Sequence, residues 1–191
     1  MVKSVSADSV ARLGPYVLLE RLRRSAYGYV ELAYDTAANR FVALKSLTGR
    51  ARTPEAAQRF AEEVALWRRL RHGHVLRLLD EGQGREGAAW AAGEWLAGVD
   101  VERLLEAARG TGRLPTPAIA ATLTAQLGDA LSFLHALAIT VQSELGPRNL
   151  VVSFAGRAAL VELGNLRFLG RATPIESDQL FGYFVAPEVR R

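Results

Sequence analysis

A single amphipathic helix set among strand-like runs constrains the fold of this chain more than any other feature. After Thr53-Pro54, which has the form of a helix start, Phe60, Val64, Trp67 and Leu70 recur three or four residues apart and predict one helix over 55–70. Three runs rich in Val, Leu and Tyr precede it, at 16–22, 29–35 and 41–47, with turn residues between them, notably Ala38-Asn39. Two more come after it, at 75–79 and 88–95, split by a Gly-rich turn at 82–87. The first half is therefore expected to hold five strands and one inserted helix.

The character changes at Leu96-Ala97-Gly98. Beyond that joint, 101–108 reads as a short helix. Pro115 and Pro117 then open a long one, on which Ile119, Leu123, Leu127, Leu131 and Leu134 form an apolar stripe. Short strands are predicted at 150–153 and 159–162, around a turn at Ala155-Gly156, and 164–191 shows no clear period. The expected organisation is a flexible leader over 1–14, a first lobe over 15–95, and a joint with a mostly helical second lobe over 96–191. No internal repeat is visible.

Composition narrows the chemistry. There is no cysteine, so disulfides, Cys-ligated metals and a Cys nucleophile are excluded. Of the three histidines, His72 and His74 flank Gly73 in a turn, which is poor evidence for a metal site without a third ligand. The net charge of +4 is spread along the chain, with clusters at Arg21-Leu22-Arg23-Arg24 and Arg68-Arg69-Leu70-Arg71. A helix surface or a loop accounts for these, and no aromatic-interleaved basic stripe argues for nucleic acid. The most apolar stretch, 118–141, is broken by Gln126 and Asp129 and reads as a buried helix rather than a membrane span. No signal peptide is apparent behind Lys3, so the cytoplasm is the default compartment.

Several short motifs occur in one order. Phe41-Val42-Ala43-Leu44-Lys45 is followed by Glu63 on the predicted helix, then by Glu94-Trp95-Leu96. Further on stand Glu144-Leu145-Gly146-Pro147-Arg148-Asn149, then Glu162-Leu163-Gly164 thirteen residues after Asn149, and finally Ala186-Pro187-Glu188. In this order they resemble the V-A-I-K strand, αC glutamate, hinge, H-R-D-L-K-P-E-N loop, D-F-G and A-P-E motifs of protein kinases, over about residues 14–188. The chain is similar to the bacterial Ser/Thr (eukaryotic-like) members. The resemblance implies an α+β kinase-like fold: a five-stranded antiparallel small lobe with the αC helix, then a mostly helical large lobe, incomplete because the sequence stops just past A-P-E.

The resemblance also implies a site. Lys45 would hold the α- and β-phosphates of ATP and pair with Glu63. The backbone of Glu94 and Leu96 would meet adenine, with Val30 and Ala43 on one side of the purine and Val151 on the other. Asp100 falls near the ribose position, where a helix N-cap is an equally good account. Gly93 falls at the gatekeeper position and would leave room behind the purine unless Trp90 or Trp67 fills it. Asn149 and Glu162 would be the Mg²⁺ ligands. As plain strand and helix residues, all of these also have ordinary structural readings.

Departures from the pattern fall on the phosphate chemistry. The glycine-rich turn reads Arg23-Arg24-Ser25-Ala26-Tyr27-Gly28, and of its glycines only Gly28 is present. Arg23 would either serve as a substitute cation, pair with Glu144 or Glu162, or be a plain surface residue. The catalytic acid position holds Glu144 and the first metal position Glu162, each one methylene longer than aspartate. Anchoring the alignment on His135 would instead put Ser143 at the acid. The lysine that meets the transferred phosphate is replaced by Gly146, the preceding arginine by Ser143 and the histidine by Gln142. Displacements of about an ångström at such positions cost on the order of a hundredfold in rate.

The expected function is a pseudokinase acting as a regulatory or scaffold module, with weak or no ATP binding and Mg²⁺ a possible companion. A protein partner is expected on the incomplete second lobe; nucleic acid and membranes are not. The alternatives are a low-activity ATP-dependent Ser/Thr kinase and a truncated remnant without function.

Overall fold

The computed structural model describes residues 11–25, 28–47, 53–84, 87–141, 145–161 and 166–168. The chain divides into two compact units, Met1–Arg69 with Arg77–Trp95, and Leu70–Leu76 with Leu96–Arg191.

In the first unit the strands are β1 Arg12–Leu13, β2 Tyr16–Ser25, β3 Gly28–Asp35, β4 Arg40–Leu47, β5 Leu78–Gln83 and β6 Ala89–Glu94, with helix α1 Pro54–Trp67 between β4 and β5. They pair in the order β1-β2-β3-β4-β6-β5, every neighbour antiparallel. The β3–β4 hairpin turns where Asn39 takes a left-handed φ of 53°. The Asp35 carboxylate closes it, accepting the N–H groups of Ala37 at 3.1 Å and Ala38 at 3.0 Å. Those bonds, Ala38's foremost, hold the Asp35 carboxyl below its ordinary value.

Alternation along the strands sorts their side chains between two faces. One face carries the core cluster of Tyr16, Ala33, Val42, Leu44, Trp90 and Ala92, with Tyr16 edge-on to Trp90 at 5.2 Å. The other face receives α1, which buries Ala56, Phe60, Val64, Leu66 and Trp67. Its start is built as the sequence requires: Pro54 opens the helix, and the Thr53 hydroxyl accepts the Ala56 N–H at 3.2 Å.

Three expectations for this half need correction. The sheet has six strands among the described residues, because Arg12–Leu13, placed in the leader, pairs with Val17 and Tyr16. The helix ends at Trp67, and Leu70 is buried beyond it. The fourth run marked the wrong segment: the strand is Leu78–Gln83, while Val75 makes only an isolated parallel bridge with Leu160. Val75 and Leu76 are apolar because the second unit buries them, Leu76 against Leu96 and Ala159.

The second unit comprises β7 Gly98–Asp100, α2 Val101–Thr111, α3 Pro117–Ala136, β8 Ile139–Val141, a 3-10 turn Pro147–Asn149, β9 Leu150–Ser153, β10 Ala158–Leu160 and β11 Leu166–Phe168. The strands form a three-stranded sheet, β10-β9-β7, and the pair β11-β8. Gln126 of α3 ties that helix to the β9–β10 turn, accepting the Ala158 N–H at 2.7 Å and donating to the Gly156 carbonyl at 3.2 Å. Residues 70–76, placed in the first lobe by the sequence, belong here. The Leu160 N–H donates to the His74 carbonyl at 2.8 Å, and Arg157 Nε donates to the Gly73 carbonyl at 2.7 Å. The α3 stripe is buried only toward its end: Leu134 is fully buried, whereas Ile119 is 50% exposed.

Candidate functional site

In the first unit the expected ion pair is formed. Lys45 stands on β4, and α1 brings Glu63 to it, so that Lys45 Nζ donates to both carboxylate oxygens at 2.6 and 2.7 Å. The two side chains are only 14% and 10% exposed. Two of the three ammonium N–H groups are thereby used, and one remains for a ligand.

The side chains expected near a purine follow from register. Val30 lies opposite Lys45, Ala43 opposite both Leu32 and Gly93, and Glu94 opposite Val42. Val30, Ala43, Lys45 and Gly93 therefore share the face that α1 partly covers. The space beside Gly93 is filled, and of the two candidate tryptophans Trp67 fills it. A Cβ at Gly93 would lie 2.5 Å from the Cη2 and 2.6 Å from the Cζ2 of that ring. Trp90 belongs to the core of the opposite face. The Glu94 N–H already donates to the Arg77 carbonyl at 2.8 Å, a bond that no sequence signal announces.

Gly28 has a local reason to be glycine. It passes β4 so closely that a Cβ would stand 1.8 Å from the Ser46 carbonyl oxygen. The one glycine present from the expected phosphate turn is thus required by strand packing alone.

In the second unit Asn149 is buried, 7% exposed, at the end of the 3-10 turn. Its side-chain oxygen accepts the Gly146 N–H at 3.1 Å, its own N–H donates to the Gly146 carbonyl at 2.9 Å, and its carbonyl accepts from the Val161 N–H at 2.8 Å. The carboxamide oxygen keeps one lone pair for a cation. Leu96 is buried with Leu76 and Ala159, and Val151 packs against the same cluster. Asp100 is the N-cap of α2: one oxygen accepts the Arg103 N–H at 2.8 Å and the other faces Arg103 Nε at 3.6 Å. Arg148, next to Asn149, pairs with Glu102 of α2.

Glu144 and Glu162, with Gln142, Ser143 and the 186–188 motif, lie outside the described residues. Among the described residues no group of three or more His, Asp or Glu is placed to hold a metal ion. His72 and His74 are structural: His72 stacks on Phe133 at 4.8 Å with Nε2 3.3 Å from Asp129, and His74 Nδ1 lies 2.7 Å from the Ala158 carbonyl. Among the described residues no helix is long and apolar enough to cross a membrane.

A six-stranded antiparallel sheet with one helix delivering a glutamate to a strand lysine, and a Pro-x-Asn turn ahead of a short β hairpin, define the class. The family model for the protein kinase domain matches residues 16–191. The chain belongs to the protein kinase family. It is 31% identical over 184 residues to the serine/threonine-protein kinase PknE of Mycobacterium bovis, covering 93% of this chain and 31% of that protein. It is 34% identical to the CBL-interacting protein kinase 4 of Oryza sativa, covering 80% of this chain and 33% of the relative. The crystal structure of the Mycobacterium tuberculosis PknI kinase domain superposes with a TM-score of 0.64 at 28% identity, over 82% of this chain and 62% of that one. The chain thus spans about a third of the length of the curated relatives it matches.

Proposed function

We propose that this chain is a pseudokinase: a regulatory or scaffold module on a protein-kinase fold, with weak or no ATP binding and little or no phosphoryl transfer. One observation carries the reading. The family-pattern residues present and described each have a structural task that needs no nucleotide. Gly28 clears the Ser46 carbonyl, Asn149 holds the Gly146 amide, and Glu63 neutralises a largely buried Lys45. The positions whose task is chemistry alone carry other residues: Arg23 and Ser25 for glycines, Gly146 for the lysine, and Glu144 and Glu162 for aspartates. Phosphoryl transfer needs positive charge on the moving phosphate and carboxylates at set reach, so each replacement weakens the transition state.

A protein partner on the second unit is part of this reading, and the exposure of Ile119 at 50% and Phe154 at 85% supports it. The low-activity ATP-dependent kinase is the second reading, and the formed Lys45–Glu63 pair favours it.

Thermal-shift titration of the full chain with ATP, with and without Mg²⁺, and a phosphate-transfer assay on a generic basic substrate test the proposal. A small shift or none, with no transfer above background, is expected. Robust transfer abolished by Glu144→Gln overturns it in favour of the kinase.

A further inference from the structure

Exposed large hydrophobic side chains gather in one part of the second unit. Leu114, 68% exposed, stands two residues ahead of the Thr116 cap of α3, Ile119 lies in the first turn of that helix, and Phe154 opens the β9–β10 turn. The fold brings the last two onto one strip. Gln126, two helical turns after Ile119 and on the same face of α3, donates to the Gly156 carbonyl of the Phe154 turn at 3.2 Å. Ile119 is therefore about 10 Å along the helix from the point where that turn is tied down. Leu123, between them, is half-buried.

Phe154 is exposed on a backbone that is held in place. Its N–H donates to the Ala97 carbonyl at 3.2 Å, the Gly156 N–H donates to the Ser153 carbonyl at 2.9 Å, and the Arg157 N–H donates to the Ser153 hydroxyl at 3.0 Å. A large ring on so fixed a turn loses little conformational freedom when it is covered, which is what an anchor for a partner requires. Among the described residues nothing stands over the turn: a Cβ added at Gly156 would meet no neighbour within 4 Å. The charge beside the strip has one sign. From Ala107 to Gly128 the sequence holds no acidic residue, whereas Arg109 and Arg113 are both exposed, at the end of α2 and in the link to α3. The nearest acids along the chain are Glu106 and Asp129. A basic border beside apolar anchors selects an acidic partner, and it opposes a second copy of the same surface, whose arginines would meet like charge.

We propose that this strip docks a short acidic segment of a partner protein. The segment lies along the first two turns of α3, seats bulky apolar side chains against Ile119 and Phe154, and turns carboxylates toward Arg109 and Arg113. About four extended residues cover the distance. The inference names the chemistry of the protein partner in the scaffold reading and rests on that reading.

Selection from a random display library of short peptides with the full chain as bait, then fluorescence anisotropy of the selected peptides, tests it. Those peptides are expected to carry Asp or Glu beside two bulky apolar residues. Phe154→Ser and Ile119→Ser, at exposed positions and with folding checked by circular dichroism, should each weaken them about tenfold. Arg113→Glu should weaken them by about the same factor and flatten the loss of affinity that added salt causes in the wild-type chain. Leu19→Ser, an exposed apolar position of the first unit, should change nothing. Selected peptides without acidic residues, or none selected at all, overturn the proposal, as does binding that Phe154→Ser and Ile119→Ser leave intact. Self-association of the wild-type chain in sedimentation, abolished by Phe154→Ser, overturns it in favour of a second copy on the same strip. Acidic peptides lost in these variants, found together with robust phosphate transfer, would sink the pseudokinase reading and keep the docking strip.

Discussion

The two units differ in how they carry the family's functional positions. In the first, the pair that a kinase needs is assembled in full: Lys45 Nζ sits within 2.7 Å of both Glu63 oxygens, and Trp67 one turn further along α1 rests against Gly93. In the second, the turn around Pro147 is held together by Asn149, yet the loop presents Gly146 where the family pattern has a cation. The contrast is between side chains that stabilise the fold and side chains that would act only on a substrate. A lysine bound to a glutamate between helix and sheet does both jobs; a loop lysine aimed at a moving phosphate does one. Where the second kind is exchanged the fold loses nothing.

The largest expected effect concerns the ion pair. If Lys45 and Glu63 are structural partners, Lys45→Met leaves Glu63 with an uncompensated charge and should cost about 3–5 kcal/mol, while Lys45→Met with Glu63→Leu should recover most of it. Urea unfolding followed by circular dichroism measures both. A loss below about 1 kcal/mol, the level of an exposed pair, would place the pair among the purely functional residues and break the comparison.

Gly93 comes next. Its missing side chain is where the Trp67 ring lies, so Gly93→Leu overpacks the contact and should cost about 3 kcal/mol, at the upper end for added volume in a packed core. Trp67→Ala combined with Gly93→Leu should be less destabilised than the sum of the two single changes, because the added leucine occupies the space the removed indole vacates. Strict additivity would mean that the ring and the glycine are not packed against each other.

Much of this was legible in the sequence, for physical reasons that differ by element. Helix α1 announced itself because Thr53-Pro54 and the Phe60, Val64, Trp67 spacing are local signals that tertiary packing here reinforces. The β3–β4 hairpin was visible through Ala38-Asn39, and Asn39 does carry the left-handed φ. The fourth strand was misplaced because apolarity reports burial and not pairing: Val75-Leu76 are buried by the second unit, and the pairing strand runs through the polar Asp80-Glu81-Gly82-Gln83. Strands of three residues, such as Gly98–Asp100 and Ile139–Val141, are too short to show a period at all. Within the site, order along the chain singled out Lys45 and Glu63, but the register of Arg23 against Val30 depends on a bulge that composition does not encode. Asp100 had two accounts in the sequence, and the structure supplies the N-cap.

Asn149 gives the smallest expected effect and the sharpest division between the units. Were it present only as a metal ligand, Asn149→Ala would leave stability unchanged. Because its oxygen accepts the Gly146 N–H inside a buried turn, the truncation should strand that amide and cost about 1–2 kcal/mol. Asn149→Asp keeps an acceptor in the same place and should retain most of that stability in the same urea titration, although it changes the charge any bound cation would meet. A stable alanine variant would return Asn149 to the chemical residues and leave the second unit holding one more piece of catalytic apparatus than its Gly146 suggests.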